Sequence, residues 1–291
     1  MKLNGNNIKI AIQKEGRLTE GSLALLKATG LVFATSKSQL YSSCENFPLD
    51  ILFVRDDDIP EYVRDGVCDM GIVGLDVVKE CDIELGSLAP LSFGASRLVI
   101  AAPKESAITK GKELTGKRIA TSYPRILSKF LKGKKITARI VTLSGSVELA
   151  CSLGVADAIC DLVSTGSTLK THELVPLVTV FQSEAVLVGR NRPVLKVEKR
   201  VIFEQFKKRC EAVLKAERAK YIMLNAPKEK VEAIARIIPG VKSPTVIPLA
   251  KRGWVAMHSV ISEDIFWQTI DKLKSLGAQG ILVLPIEKII L

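Results

Sequence analysis

The segment from Asp161 to Thr168 places one carboxylate ahead of a run of hydroxyl and glycine residues, directly after an apolar stretch. Gly166 lets the backbone approach a phosphate closely, and successive backbone N–H groups in such a loop form a concave anion site. Asp161 can accept from the vicinal hydroxyls of a ribose whose 5′-phosphate lies in the loop. We therefore predict a phosphoribosyl site, against the alternative of a turn whose hydroxyls bind their own backbone. The predicted phosphoribosyl ligands are Asp161, Ser164, Thr165, Gly166, Ser167 and Thr168.

Cationic residues follow or begin several apolar stretches and suit phosphates. Lys14, Gly16 and Arg17 form a turn between the first strand-like run and a helical pattern, where a pyrophosphate or triphosphate can bind. Arg55 and Arg97 stand at the edges of two further apolar runs, and arginine binds phosphate through two parallel hydrogen bonds. The alternatives are an ordinary surface turn for the first group and pairing with a carboxylate for Arg55.

An aromatic residue and a run of acids complete the set of candidates. Tyr123 precedes Pro124 in a turn, where its ring could stack on a base or equally pack in the core. The acids Asp56, Asp57 and Asp58 could hold Mg²⁺, but a cap by Asp58 on the helix that starts at Ile59-Pro60 is the favoured interpretation. The residues by themselves leave any metal ligands unknown.

The elements that position these residues are short strands alternating with helices. Strand-like runs separated by helical patterns indicate βαβ units around largely parallel sheets. The predicted strands cover 8–12, 49–54, 70–73, 98–101, 139–143, 158–162, 175–181 and 185–188, and the predicted helices 19–29, 59–66, 76–80, 124–131 and 146–154.

One internal similarity indicates two related lobes. Gly66-Val67-Cys68-Asp69 and Gly154-Val155-Ala156-Asp157 each follow a helical pattern and lead into an apolar strand. Two similar α/β lobes would produce this repeat, although a match this short can also arise by coincidence. Two facing lobes form a cleft, which is the usual place for a ligand.

The last part of the chain has a different order of elements. A long basic helix near 197–219 precedes the pattern βαββαβ, which is typical of a ferredoxin-like unit. Its final helix has Ser262 as an expected N-cap and Gly277 as its end.

Composition excludes several classes of protein. The 291 residues are 47% apolar, with no apolar run near the roughly 20 residues of a membrane span. Six cysteines without a C-x-x-C pattern argue against zinc, and the absence of a leader-like start predicts a cytoplasmic protein that does not bind membranes. The net charge of +11 comes from interleaved basic and acidic residues, so no nucleic-acid partner is expected.

Several ordered motifs together resemble the ATP phosphoribosyltransferase family in its long form with a carboxy-terminal regulatory domain. The resemblance covers nearly the whole chain. The motifs are Lys14 to Leu18, Asp65 to Gly74, Ile119 to Pro124, Gly145 to Glu148, Ala156 to Gly166, Ser243 to Leu249 and Ile281 to Glu287. The chain departs from the family pattern in Lys14-Glu15-Gly16 and in Phe93-Gly94-Ala95-Ser96-Arg97, which leaves the local phosphate geometry open.

The resemblance implies a fold and a division into domains. It implies a bilobal catalytic core like that of periplasmic solute-binding proteins and a ferredoxin-like βαββαβ regulatory domain. The implied ranges are 1–92 with 183–200 for the first lobe, 93–182 for the second, 201–215 for a linker helix and 216–291 for the regulatory domain.

The resemblance also implies a Mg²⁺-dependent glycosyltransferase of histidine biosynthesis. ATP would condense through adenine N1 with phosphoribosyl pyrophosphate, pyrophosphate would leave, and histidine would inhibit from the regulatory domain of a homodimer that assembles to a hexamer. Asp161, Arg17 and Arg97 are the expected catalytic residues, and Lys14, Gly16, Arg17, Arg55 and Arg97 the expected phosphate ligands. Tyr123 and Asp69 are expected at the adenine, and Asn225, Ser243 and Thr245 at the regulatory histidine. The rival interpretation is a bilobal binding or sensor protein without catalysis.

Overall fold

A computed structural model describes residues 6–36, 39–164, 166–190 and 197–290. The chain divides into two compact units, one within residues 1–27 and 31–203 and the other within 28–30 and 204–291. The first unit carries the candidate phosphoribosyl loop, and each unit has its own sheets and core.

The first unit consists of eleven strands and five α-helices in its described part. The strands are β1 (Ile8–Gln13), β2 (Tyr41–Ser43), β3 (Leu49–Val54), β4 (Met70–Gly74), β5 (Gly86–Pro90), β6 (Ser96–Pro103), β7 (Arg118–Thr121), β8 (Arg139–Thr142), β9 (Ala158–Val163), β10 (Leu174–Ser183) and β11 (Ala185–Gly189). The helices are α1 (Thr19–Ala28), α2 (Ile59–Arg64), α3 (Leu75–Cys81), α4 (Pro124–Lys134) and α5 (Ser167–Thr171).

Two separate sheets give this unit its two lobes, as predicted. The first lobe has the strand order β2-β3-β1-β4-β11-β5 and the second has β10-β6-β9-β7-β8. The chain crosses between the sheets after β5 and returns after β10. The two crossing segments are hydrogen-bonded to each other, from Leu91 N–H to the Ala185 carbonyl at 2.9 Å and from Ala185 N–H to the Phe93 carbonyl at 3.0 Å.

The prediction of largely parallel sheets is wrong. Within the described residues the two sheets have four parallel strand pairs, which are β1 with β3 and β4, and β7 with β8 and β9. The other five pairs are antiparallel: β6 pairs with β9 and β10, β11 pairs with β4 and β5, and β2 pairs with β3.

Three strands and one short helix were not predicted, and one predicted helix is absent. β2, β5 and β7 are short, and β5 is rich in residues that seldom form strands. The predicted helix at 146–154 is a single 3₁₀ turn, Val147–Leu149, followed by turns. Ser146 has φ 51°, so it is not itself helical and the turn starts only at Val147.

The repeat of the Gly-Val-x-Asp pattern reflects two equivalent positions in the lobes. Gly66 and Gly154 both have positive φ, 76° and 69°, and end the turn before β4 and β9. Asp69 then accepts the backbone N–H of Lys9 at 2.8 Å, and Asp157 accepts that of Arg118 at 2.8 Å. Each aspartate thus ties the start of its strand to the start of the parallel neighbour, β1 or β7.

Helix α3 of the first lobe contacts the start of α4 in the second lobe. The Glu80 carboxylate accepts the backbone N–H groups of Arg125 at 2.8 Å and Ile126 at 3.0 Å. In return, Arg125 Nη1 donates to the Cys81 carbonyl at 2.8 Å, at the end of α3. Free N–H groups in the first turn of a helix attract a carboxylate, so Glu80 acts as a cap supplied by the other lobe.

Replacing Glu80 by alanine is expected to lower the free energy of unfolding by about 1 kcal/mol, because the first turn of α4 loses its acceptor. Urea unfolding of the full chain measures this change. Glu61→Ala, an exposed glutamate of α2, is the control and should leave the midpoint near that of the wild type. Equal midpoints for both variants would show that the cap adds nothing.

The second unit is a ferredoxin-like βαββαβ fold, as predicted. Helix α6 (Val197–Glu217) begins before the unit and continues into it. The sheet has the order β13-β14-β12-β15 with antiparallel pairs throughout, and its core lies between the sheet and two helices. The remaining elements are β12 (Ala219–Pro227), α7 (Val231–Ile237), β13 (Thr245–Pro248), β14 (Trp254–Ser262), α8 (Glu263–Ser275) and β15 (Gln279–Pro285).

The predicted cap of the last helix is confirmed. Ser262 Oγ accepts the backbone N–H of Ile265 at the start of α8, at 3.4 Å. In the part of the chain that the structure describes, no helix is both long enough and apolar enough to cross a membrane.

Candidate active site

The loop after β9 forms a small concave site in the second lobe. Gly166 has φ 83° and immediately precedes α5, so the chain turns sharply here and presents exposed Ser164, Ser167 and Thr168 side chains. A cavity of about 250 Å³ is lined by Asp161 to Ser164 and Gly166 to Leu169. Thr165, predicted as a ligand, lies outside the described residues. The other predicted loop ligands all line this one cavity.

Asp161 reaches this cavity from within β9. Its Oδ1 accepts the backbone N–H of Leu162 at 2.8 Å, which fixes the carboxylate beside the loop. Burial raises the pKa of Asp161 above its ordinary value, and the nearby Glu148 carboxylate adds to the rise, against the lowering effect of the Leu162 N–H. A half-buried carboxylate with a free oxygen can accept hydrogen bonds from sugar hydroxyls.

Arg97 lies beside the same loop. It pairs with Val163 in the register of β6 and β9, one residue before Ser164. A second cavity of about 500 Å³, next to the segments that cross between the lobes, is lined by Arg97, Ser96, Ser164 and Ser183 among others. Because Ser164 lines both cavities, the structure places the Arg97 cation next to the candidate phosphoribosyl site.

Arg17 is held by protein groups. Its Nη1 donates to the Gly94 carbonyl and, at 2.8 Å, to Ser96 Oγ, both on the first crossing segment. Its Nη2 donates to Oδ1 of the buried Asp76 at 3.3 Å. The side chain is 26% exposed, so part of the guanidinium still reaches solvent in the cleft.

Lys14, Gly16 and Arg55 lie at the carboxyl ends of neighbouring parallel strands. The Lys14 N–H donates to the Val54 carbonyl at 2.8 Å, which joins the ends of β1 and β3 and brings Arg55 close in sequence to this edge. Lys14 lines a third cavity of about 560 Å³ within the first lobe. Gly16 has φ 137°, and a Cβ there would lie 2.5 Å from Gln13 Nε2. The structure therefore groups these residues apart from the loop after β9.

Tyr123 occupies the turn before α4 and faces the first lobe. Its hydroxyl donates to Asp76 Oδ2 at 3.2 Å, while its ring packs partly against the core of the second lobe. Burial and then the Asp76 charge raise the pKa of Tyr123, and the Asp161 charge contributes as well. Tyr123 and Arg17 therefore share the Asp76 carboxylate.

Asp69 does not join these residues. It begins the segment that leads into β4, where it accepts the Lys9 N–H and pairs with Lys199 Nζ at 3.4 Å. Tyr123 and Asp76 lie beyond the opposite, carboxyl end of β4 and its sheet. The prediction that Asp69 lines the adenine side is not supported by this position, because its partners hold the amino end of the sheet together.

Sequence reasoning missed Asp76 and Ser183. Asp76 is only 1% exposed and follows β4 directly, while Ser183 ends β10 at the second crossing. The Ser183 hydroxyl donates to Asp76 Oδ1, and the Asp76 N–H donates back to Ser183 Oγ at 3.0 Å. A carboxylate soon after a buried strand is the signal in the sequence, but the pattern there predicts only that Asp76 begins a helix.

The acidic run after Arg55 does not form a metal centre. Across residues 6–36, 39–164, 166–190 and 197–290, no group of three or more His, Cys, Asp or Glu side chains is arranged to hold a metal ion. Asp56–Asp58 form a 3₁₀ turn that continues into α2. The expected cap by the Asp58 side chain is wrong, because Asp58 has helical φ and ψ of −82° and −22° rather than an extended N-cap conformation.

The three residues predicted for regulation lie in the second unit, on or beside one face of its sheet. Thr245 pairs with His258 and Asn225 with Ala256, and these two β14 residues share a face. Asn225 and Thr245 are therefore separated by two strand spacings and by two residues along the strands, about 12 Å in all. Ser243 is exposed in the turn before β13. Within one chain, Ser243 and Thr245 are close to each other and Asn225 is not.

Two α/β lobes joined by a double crossing, with a concave loop and an arginine near the crossing, define a bilobal α/β protein with a candidate ligand cleft. The family model for ATP phosphoribosyltransferase matches residues 55–215, and the model for the carboxy-terminal domain of the same family matches residues 216–288.

Named relatives agree with the family models. An ATP phosphoribosyltransferase of Cytophaga hutchinsonii is 50% identical over 283 residues, 97% of this chain and 98% of its own length. One of Bacteroides fragilis is 45% identical, over 98% of this chain and all of its own. The ATP phosphoribosyl transferase (HisG:HisZ) complex from Thermotoga maritima contains a chain with 34% identity and a TM-score of 0.58, over 70% of this chain and 98% of that one.

The chain belongs to the ATP phosphoribosyltransferase family, whose members are transferases of histidine biosynthesis. A bilobal binding protein without catalysis is not favoured.

Proposed function

We propose that the loop from Asp161 to Thr168 holds the phosphoribosyl group while adenine N1 of ATP attacks its C1. The observation that carries this proposal is the cavity of about 250 Å³, which is lined by Asp161 of β9 and by Ser164, Gly166, Ser167 and Thr168 of the turn that follows. The backbone of the turn suits the 5′-phosphate, and Asp161 suits the ribose hydroxyls.

The proposed reaction does not need a strong general base. Adenine N1 is neutral at pH 7 and attacks as its lone pair forms the N1–C1 bond, while the bond from C1 to the pyrophosphate oxygen breaks. C1 gains cationic character during this exchange, and the leaving pyrophosphate takes the electron pair. Catalysis then consists mainly of alignment and charge neutralisation.

In this proposal, cations next to the loop neutralise the negative charge of the leaving pyrophosphate. Arg97 is the nearest candidate, because it and Ser164 line the same cavity. Lys14 and Arg55, at the carboxyl ends of β1 and β3, suit the triphosphate of ATP, with Gly16 allowing the turn. Arg17 acts from the cleft wall, where Asp76 and Ser96 hold its guanidinium.

Mg²⁺ is the cofactor in this proposal, and it supplies charge neutralisation on the pyrophosphate. Mg²⁺ is commonly bound through substrate phosphates and one or two carboxylates. Asp161 lines the loop cavity, and its half-buried carboxylate is one such donor. This donor set fits a metal ion that arrives with its phosphates.

Pyrophosphate release tests the proposed reaction. The full chain is mixed with ATP, phosphoribosyl pyrophosphate and Mg²⁺, and each substrate is omitted in turn. Release that needs both substrates supports the proposal. Binding of phosphoribosyl pyrophosphate without release on addition of ATP would instead indicate a binding protein.

Histidine is the proposed inhibitor, bound at the turn of Ser243 and Thr245 in the second unit. The backbone and hydroxyls of this exposed turn can bind an amino acid's charged groups. Asn225, two strands away, contributes only if the ligand reaches across β14.

Replacing Thr245 by alanine is expected to raise the histidine concentration needed for half inhibition about tenfold, through loss of one hydrogen bond to a charged group. Pyrophosphate release with and without histidine measures the effect. Thr269→Ala, at a half-buried threonine of α8 whose hydroxyl donates to the Ile265 carbonyl of the same helix, is the control and should keep its sensitivity. Unchanged inhibition in the Thr245 variant would refute the assignment of this turn.

Assembly into homodimers and hexamers is proposed from the sheet of the second unit. The face away from its helices carries exposed apolar side chains, which include Tyr221, Ile247, Leu282 and Leu284. Exposed apolar patches of this kind commonly mark protein contacts. Light scattering on the full chain measures the molar mass, and a monomer at every concentration would contradict the proposal.

A cytoplasmic location is proposed as well. All six cysteines are free thiols, and Cys68, Cys160 and Cys210 are buried. Free thiols are typical of a reducing compartment.

A further inference from the structure

Asp76 is a buried carboxylate that receives hydrogen bonds from three separate parts of the catalytic unit. Arg17 Nη2 donates to it at 3.3 Å, the Tyr123 hydroxyl at 3.2 Å, and the Ser183 hydroxyl at close range. Arg17 follows β1 in the first lobe, Tyr123 precedes α4 in the second lobe, and Ser183 ends β10 at the crossing. One side chain thus connects both lobes and the segment between them.

The contacts extend from Asp76 to the other crossing segment. Arg17 uses its second terminal nitrogen to donate to Ser96 Oγ and the Gly94 carbonyl, so the guanidinium joins Asp76 to the first crossing. Ser183 pairs with Ser96 in the register of β10 and β6. Any rotation of one lobe against the other changes at least one of these contacts.

The surroundings leave Asp76 little freedom. A Cβ at Gly74 would lie 2.3 Å from Asp76 Oδ1, so glycine is needed for the carboxylate to take this position. A buried carboxylate is costly unless it is paired and hydrogen-bonded, and Arg17 supplies the opposite charge. The orientation of Arg17 and that of Tyr123 therefore depend on the same anion.

We propose that Asp76 is a positioning residue for the transfer reaction: it fixes the Arg17 guanidinium and the Tyr123 ring relative to one another across the cleft. This inference rests on the proposed function, in which Arg17 acts from the cleft wall, and on the sequence-based expectation that Tyr123 lies at the adenine. Asp76 itself contacts neither substrate. It acts through alignment, and small misplacements of reacting groups cost rate strongly.

A double-mutant cycle tests the role of Asp76. Asp76→Asn keeps the shape but cannot accept all three hydrogen bonds, and Tyr123→Phe removes only the hydroxyl. We expect each single variant to lower kcat about tenfold and the double variant to be no slower than Asp76→Asn, because both remove the same contact. KM for phosphoribosyl pyrophosphate should stay within about twofold, since the loop after β9 is untouched.

The control is Asp157→Asn, which makes the same change in another aspartate paired with arginine. Asp157 binds Arg118 at the start of β7, so its variant should keep the wild-type kcat. If Asp76→Asn does not fold, as judged by thermal unfolding, Ser183→Ala takes its place, because it removes one hydrogen bond to the same carboxylate. It should then lower kcat while KM for phosphoribosyl pyrophosphate stays within about twofold, and a wild-type kcat in this variant would also overturn the proposal. Independent, multiplicative effects on kcat in the cycle, or a wild-type kcat in Asp76→Asn, would overturn the proposal.

Failure of the proposed function gives a different result. In that case the wild-type chain itself releases no pyrophosphate from the two substrates, whereas failure of the Asp76 role leaves wild-type release intact.

Discussion

Valine in place of Gly166 is expected to lower pyrophosphate release by roughly two to three orders of magnitude, the range observed when a preorganised donor is lost from an active site. Gly166 has φ 83°, which a β-branched residue adopts only with strain. Among the residues that the structure describes, the nearest atom to a Cβ at this position is Val163 Cγ1, at 3.8 Å, so it is the backbone that must change. The turn would open and its N–H groups would no longer converge on one phosphate.

Gly154→Val is the matched control for this change. Gly154 lies in the same lobe with φ 69° and open space around it, so valine introduces the same kind of strain away from the loop. Both variants should show a similar small fall in the thermal midpoint, and only the Gly166 variant should lose binding of phosphoribosyl pyrophosphate, measured by calorimetry. Wild-type turnover in the Gly166 variant would remove the loop from the active site.

Asparagine in place of Asp161 is expected to lower kcat/KM about a hundredfold, equivalent to about 3 kcal/mol lost from charged hydrogen bonds to the ribose. The pH profile gives a second measure. Burial raises the pKa of Asp161, so the wild-type kcat/KM should fall on the acid side at a pH above the ordinary aspartate value of about 3.9. The variant should lack that acid limb, because asparagine does not titrate.

Stability should respond in the opposite sense to activity. The folded protein binds a proton at Asp161 more tightly than the unfolded chain does, so ionised Asp161 lowers the stability above its folded pKa. The Asp161→Asn variant should therefore unfold at the wild-type temperature or above it at neutral pH. A fall in midpoint together with a retained acid limb would contradict this account of Asp161.

The pKa of Asp157, which lies just before β9, is shifted in the opposite direction to that of Asp161. The hydrogen bonds from the Arg118 side chain and backbone lower the pKa of Asp157. Its ionised form thus adds stability at pH values above the unfolded pKa, and this is lost as the pH falls through the lower, folded pKa. Because the pair is partly exposed, Asp157→Asn should cost at most about 1 kcal/mol at neutral pH.

Much of the candidate site was readable from the sequence because its signals are local. The loop after β9 is contiguous in the chain. Glycine and hydroxyl residues directly after a strand indicate a turn whatever the rest of the fold. The lobes were readable for a similar reason, since alternation of short strands and helices and the repeated glycine and aspartate recur along the chain. Ser262 could be assigned as a cap from its own helix alone.

Only the tertiary structure decided which distant residues share the cleft. Arg17, Tyr123 and Ser183 are far apart in the chain and meet at Asp76 because the two crossings bring the ends of different strands together. Asp69 is the opposite case, because its motif is recognisable in the sequence but its position in the fold is not. Its side chain lies at the amino end of the sheet, where it accepts the Lys9 N–H and so links β4 to β1. Spacing along a chain specifies local turns and periodicity, whereas strand direction and pairing partner decide at which edge of a sheet a side chain emerges.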